Sequence, residues 1–317
     1  MRKYRIIYIS IVLFLTSTFS YAKQESIKNY DRTKLVTKNF IQKIDFEIKR
    51  GVIVINNVQL VGSNKKYNFI LDSGSEYSLI SKEVADEIGF TVGFLDEITD
   101  GYEKQKIQLG RANFKIENVE FNNVGVGIID NSQMEKICNI DGYIGYNLMK
   151  SCIWQLGTKK VTITDNIKNI KNIASYSKQR LFNGPTVEAG FTNGFNSTML
   201  FDLGDNGTVE IQESRIDLIK MKEIATGTGI LYTTGLGVGK KNEGSIHKLL
   251  KVPSFKFGNS FVKNMIVYTD NAPQFPIDII GAGILNYFEI VLDFPKKRIY
   301  SLKVLDEYKN EGFKTHG

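Results

Sequence analysis

The chain has 317 residues, with 41 Lys and Arg against 34 Asp and Glu, a formal net charge of +7, 42% hydrophobic and 11% aromatic residues. That length leaves room for two domains with cores of their own, and 5 Pro against 28 Gly is no low-complexity composition. The positive balance falls on short runs beside expected strands (64–66, 157–160, 294–298) rather than on a basic block interleaved with aromatics, so no nucleic-acid partner is expected. Two Cys and two His are too few for an ordinary zinc centre. A Ser-His-Asp triad would have to use His247, in a Gly/Lys-rich stretch, or the penultimate His316. No metal and no cofactor is expected, and any catalysis falls to carboxylates.

In chain order, residues 1–22 read as a secretory signal. A basic start, MRKYR, precedes the apolar run IIYISIVLFLTSTF, and Ser20-Tyr21-Ala22 offers small residues at a cleavage site after Ala22. The run is shorter than a full membrane span, so no stable membrane insertion is expected after cleavage. The expected location is exported, either periplasmic or secreted. Alternating segments follow, KIDFEIK (43–49) and GVIVINNVQLV (51–61), broken by Asn and Gly turns. Then Phe69-Ile-Leu runs straight into Asp72, followed by Ser73-Gly74-Ser75. A carboxylate closing a buried strand is costly unless its surroundings stabilise it. A short helix is expected from Ser81, as N-cap, to Ile88, and another near Asn147 to Lys150. Cys138 and Cys152 lie close enough in sequence for one possible disulfide, or for two buried thiols that never meet.

The chain repeats itself. Phe69-Ile-Leu-Asp72-Ser-Gly74 returns as Met199-Leu-Phe-Asp202-Leu-Gly204. LGRANFKIENVEF (109–121) returns as FGNSFVKNMIVY (257–268), IDGYIGYNLM (140–149) as IDIIGAGIL (277–285), and TKKVTIT (158–164) as PKKRIYSL (295–302). Four landmarks recur in one order at an offset of about 130 to 150 residues. The expected organisation is a signal peptide at 1–22, a first lobe at 45–165, a linker at 166–180, a second lobe at 181–303 and a tail at 304–317. The fold class is mainly β: two tandem β-barrel lobes with short helices, related by a pseudo-two-fold axis. An axis beside Asp72 and Asp202 would bring the two carboxylates together.

LDSGS, followed by YIGYNLM and a KKVTI strand, resembles the retropepsin-like aspartic proteases, and the tandem arrangement is similar to two-lobed bacterial aspartyl proteases. The likeness runs from about Phe46 to Lys303. It implies two retropepsin-like acid-protease lobes and an aspartic endopeptidase whose catalytic pair is Asp72 and Asp202. Water would be activated between the two carboxylates in the cleft between the lobes. The substrate would be an extended peptide or unfolded protein, and the enzyme a monomer without cofactor. The resemblance further implies that Ser73 sends its hydroxyl across the axis, that Ser75 hydrogen-bonds the Asp72 carboxylate, and that Gly74 and Gly204 permit the turns. A flap hairpin would lie near Asp100 to Lys104, with Tyr102 as a substrate contact, and its counterpart near Thr234 to Gly244, with Gly235 and Gly237. Tyr77 reads as packing and Trp154 as core.

The second motif departs from the pattern. Leu203 has no hydroxyl, and Asp205 places a carboxylate where a neutral donor is expected. One reading is an active, asymmetric pair with an acid-shifted optimum. Another is a peptide-binding module that has lost catalysis. A third pairs Asp72 of two chains in a homodimer, and a purely structural duplicated barrel would give no reason for Asp at both strand ends.

Overall fold

The computed structural model describes residues 32–99, 104–129, 139–191, 194–216, 222–229, 245–270 and 277–304; residues 99, 105, 222–229, 245–247 and 270 are described by their backbone alone. The signal segment, the two expected flap tips with Tyr102, Gly235 and Gly237, Cys138 and most of the tail lie outside the described residues. The protein is mainly β, with few short helices, and no helix among the described residues is long and apolar enough to cross a membrane.

The first half begins with β1 (Lys34–Leu35), β2 (Ile41–Ile44), β3 (Phe46–Lys49), β4 (Val52–Leu60) and β5 (Lys66–Asp72). There follow β6 (Ser78–Ser81), α1 (Lys82–Glu87), β7 (Val92–Thr99), β8 (Lys104–Ile116), β9 (Val119–Ile129), β10 (Gly142–Gly145), α2 (Tyr146–Met149), β11 (Ile153–Gly157) and β12 (Lys160–Thr164). Helix α1 falls within the expected Ser81 to Ile88, and α2 overlaps the stretch expected near Asn147 to Lys150. Ser81 accepts the Val84 N–H at 3.2 Å, which satisfies one of the orphan amides of the first turn. Strands β4, β5, β10, β6, β9 and β8 pair in that order, and β8 pairs back onto β4, so six strands close a barrel. Strand β7 lies outside it as the partner of β8. Asn57, at φ 61°, marks a register shift in β4 between Ile55 and Val58; an asparagine in the left-handed region is cheaper there than a β-branched residue.

The second half contains β13 (Ser177–Arg180), β14 (Thr186–Phe191), β15 (Asn196–Asp202), β16 (Glu210–Gln212), β17 (Lys222–Gly229), β18 (Ser245–Phe257), β19 (Ser260–Asp270), β20 (Asp278–Gly281), β21 (Phe288–Asp293) and β22 (Arg298–Lys303). Strands β14, β15, β20, β16, β19 and β18 pair in that order, and β14 also pairs with β18. The directions match those of the first half step for step, including the parallel pairs β5–β10 and β15–β20. A third sheet, β13-β22-β21-β11-β12-β2, takes three strands from each half and joins them through β11 and β21. The stretch 166–180 is thus more than a linker, because its last four residues form the edge strand β13 against β22.

One contiguous apolar cluster fills both strand rings and reaches the joining sheet. Trp154 on β11 is fully buried in it, and its indole N–H donates to Met149 O at 3.0 Å. Two buried polar clusters are tied by hydrogen bonds, as burial favours. Asn147 accepts from the amide and hydroxyl of Ser78 at 2.9 and 3.0 Å and donates to Gly125 O at 2.7 Å, tying α2 to β6 and β9. In the second half, the fully buried Asp278 takes Arg215 Nη1 at 2.6 Å, Ser197 Oγ at 2.6 Å and the Gln212 amide at 3.0 Å. Cys152 is a fully buried free thiol whose pKa is raised by that burial. It packs in the core as a small apolar side chain, and its possible bridge partner Cys138 lies outside the described residues.

Candidate active site

Asp72 closes β5 and Asp202 closes β15, each paired in parallel with a strand that ends in glycine: Gly145 faces Asp72 and Gly281 faces Asp202. A Cβ on Gly145 would lie 2.2 Å from Tyr77 O, and one on Gly281 would lie 2.3 Å from Gly207 O. Only glycine lets the loop after each Asp fold back so closely. This is the physical content of the repeated hydrophobic-Gly element.

The two loops meet. A Cβ on Gly74 would fall 2.2 Å from Asp202 Oδ2, so the backbone of the first loop lies against the carboxylate of the second. The Oδ1 of that carboxylate accepts the Gly204 amide at 2.8 Å, and the Asp72 side chain and the Gly74 and Asp205 amides lie close enough to pull its pKa down. Asp72 is fully buried, and its Oδ1 accepts the amides of Gly74 at 3.1 Å and Ser75 at 2.9 Å. Ser75 thus reaches Asp72 through its backbone N–H; its hydroxyl donates instead to Tyr77 O at 2.7 Å.

Ser73 spans the junction. Its hydroxyl donates to Phe201 O at 2.6 Å and accepts Leu203 N–H at 3.0 Å. The reciprocal arm is absent because Leu203 has no hydroxyl, and its side chain is instead fully buried in the apolar core. Packing has replaced a hydrogen bond on that side. Ser73→Ala would orphan two buried backbone groups, so a loss of roughly 2 kcal/mol in urea unfolding is expected, together with a lower rate of any peptide cleavage, whereas Ser73→Thr should retain both. A second junction contact lies nearby: Asn206 Nδ2 donates to Arg50 O at 3.1 Å, at the β3–β4 turn where Arg50 and Gly51 both have positive φ.

Burial of its carboxyl group is the largest influence on Asp202 and raises its pKa from the ordinary 3.8, against the lowering effect of its amide donors. Asp205 is fully buried, and its Oδ1 accepts the Gly207 amide. Sequence reasoning missed Glu210, which is 2% exposed on β16. A Cβ on Gly207 would lie 2.9 Å from Asp205 Oδ1 and 3.0 Å from Glu210 Oε1, so both carboxyl groups crowd that glycine. Nothing in TVEIQ marks the Glu as inward, because the run reads as an ordinary half-exposed strand.

Burial also raises Asp141 and Asp293. Groups with raised folded values hold protons more tightly folded than unfolded. Their contribution to stability is full below the ordinary value of 3.8 and is lost as pH rises through the folded values. The melting temperature is expected to rise as pH is lowered through those folded values toward 3.8, and a fall over that range would contradict this. Glu87, held low by Lys65, acts in the opposite sense from the surface.

Among the described residues, no group of three or more His, Cys, Asp or Glu side chains is placed to hold a metal ion. Compared with known proteins, residues 55–148, from within β4 to within α2, match the family model described as aspartyl protease. The match includes Asp72, Ser73, Gly74 and Gly145 and stops before Asp202. No curated protein matches the chain.

Proposed function

From the aspartyl protease domain that residues 55–148 form, we propose that this protein is an exported aspartic endopeptidase whose catalytic pair is Asp72 and Asp202. One observation carries the reading: the backbone of the Asp72 loop at Gly74 lies against the Asp202 carboxylate, close enough for the Asp72 side chain to act on its pKa, across loops that Ser73 ties together. Two carboxyl groups that close cannot both ionise cheaply and share a proton. The ionised member takes a proton from a water held between them, and the neutral member gives its proton to the scissile carbonyl oxygen. No covalent intermediate forms. Which residue holds the proton is a property of the pair.

The same reading takes the two strand rings as two lobes of a duplicated retropepsin-like fold related by a pseudo-two-fold axis. Its support is the repeated strand order with matching directions and the joining sheet built from three strands of each half. The peptide lies extended in the cleft and binds as a strand. Hairpin β7–β8 and its counterpart β17–β18 are the flaps that cover it. Residues 1–22 direct export and are removed.

The test is to incubate the chain from Lys23 onward with a mixed peptide library from acidic to neutral pH and to read the products by mass spectrometry. Cleavage with defined product ends is expected, strongest in acid because Asp205 adds a buried carboxyl group beside Gly281, the strand partner of Asp202. The second reading, a peptide-binding module without catalysis, is favoured by the buried Leu203 and Asp205. It requires peptide to bind and stay intact at every pH.

A further inference from the structure

Strand β7 carries a residue that its own pattern does not explain. Phe94, Asp96 and Ile98 are half-buried, while Leu95 and Glu97 between them are exposed. Successive side chains on a strand point to opposite faces, so Asp96 shares the inward face with Phe94 and Ile98. Those two pack on a second apolar cluster of the first half, which includes Val54, Ile70, Tyr77, Leu79, Leu109 and Tyr143. A carboxylate on that face is out of place in binary patterning and needs a partner.

The Glu97 amide donates to Asp96 Oδ1 at 2.8 Å, and across to the Asp72 loop the partner is Tyr77, a 3% exposed side chain whose hydroxyl donates to Asp96 Oδ2 at 3.2 Å. Tyr77 is not simply packing, as its sequence context suggested. It lies on the loop that follows Asp72, where Ser75 Oγ donates to its carbonyl at 2.7 Å and the Ser75 amide donates to Asp72 Oδ1 at 2.9 Å. Gly145, beside Asp72 in β10, leaves room for the same Tyr77 carbonyl. A continuous set of contacts thus runs from the Asp72 carboxylate through Ser75 and Tyr77 to strand β7. The second half has no such side chain at the aligned loop position, where Gly207 stands in place of Tyr77.

We propose that the Tyr77–Asp96 hydrogen bond is a latch that fixes hairpin β7–β8 to the Asp72 loop. Calling that loop part of an active site rests on the protease reading; the latch and its test do not.

Hydrogen exchange in the full chain tests it through peptides covering 92–99 and 104–110. Tyr77→Phe and Asp96→Ala are each expected to speed exchange in the hairpin about tenfold, the loss of one hydrogen bond to a charged group, with β10 and β11 unchanged. Asp96→Asn keeps an acceptor oxygen and should give a smaller rise. The Tyr77→Phe/Asp96→Ala double variant should exchange no faster than either single one. Unchanged exchange, acceleration spread evenly over the chain, an Asp96→Asn effect equal to that of Asp96→Ala, or additive single effects would each overturn the latch. A protein that cuts no peptide yet shows the expected exchange pattern keeps the latch and loses the protease reading.

Discussion

Asp72→Asn is expected to lower peptide hydrolysis by about 10²- to 10⁴-fold, the usual span for removing a general acid or base. The substitution keeps the shape of the side chain. Its carbonyl oxygen can still accept the amides of Gly74 and Ser75, which now meet Asp72 Oδ1, so the loop should keep its conformation. What it loses is the ability to ionise and to share a proton with Asp202. The unfolding midpoint should therefore change little while the rate collapses. Stability should even rise slightly, because a neutral amide replaces a fully buried acid. A variant that unfolds and loses activity together would not separate the two causes, so peptide cleavage and urea unfolding are measured on the same preparation.

Arg215→Ala is expected to cost about 3 kcal/mol of stability, the order measured when one partner of a buried ion pair is removed. Asp278 is fully buried, and Arg215 supplies its only cationic partner among the described residues. Two donors remain, Ser197 Oγ and the Gln212 amide, so the carboxylate is not abandoned but loses its counter-charge. The consequence reaches the site because Asp278 starts β20, the strand that ends at Gly281 beside Asp202. Arg215→Lys should recover part of the loss, since an ammonium restores the charge without the fork geometry. A change below about 1 kcal/mol, the range of exposed pairs, would mean that the partly exposed guanidinium contributes little.

Much of the site's frame was legible in the sequence, because it rests on local chemistry. An apolar run ending in Asp-x-Gly, twice, and an apolar-Gly element, twice, located both loops. The parallel pairs β5–β10 and β15–β20 then set Gly145 against Asp72 and Gly281 against Asp202. Ser81 as a helix cap was legible for the same reason. What escaped depends on which way a side chain turns and on pairing between distant strands. Ser75 turned its amide rather than its hydroxyl to Asp72, because the hydroxyl found Tyr77 O closer to hand. Glu210 looked like the outward residue of a short strand until three dimensions placed it next to Asp205. Asp96 was passed over because a single polar residue in a strand does not say which face it occupies. The last strand of the stretch between the halves was hidden because β13 gains its order from β22, more than a hundred residues away.

The most direct test of the central claim, that the second half supplies the second carboxylate, is the activity of Asp202→Asn over a wide range of protein concentration, with molecular mass followed in parallel. The account predicts that activity is lost as fully as in Asp72→Asn, at every concentration and at constant monomer mass. Cleavage that persists and rises with concentration as the chain dimerises would contradict it, because the pair would then be two copies of Asp72.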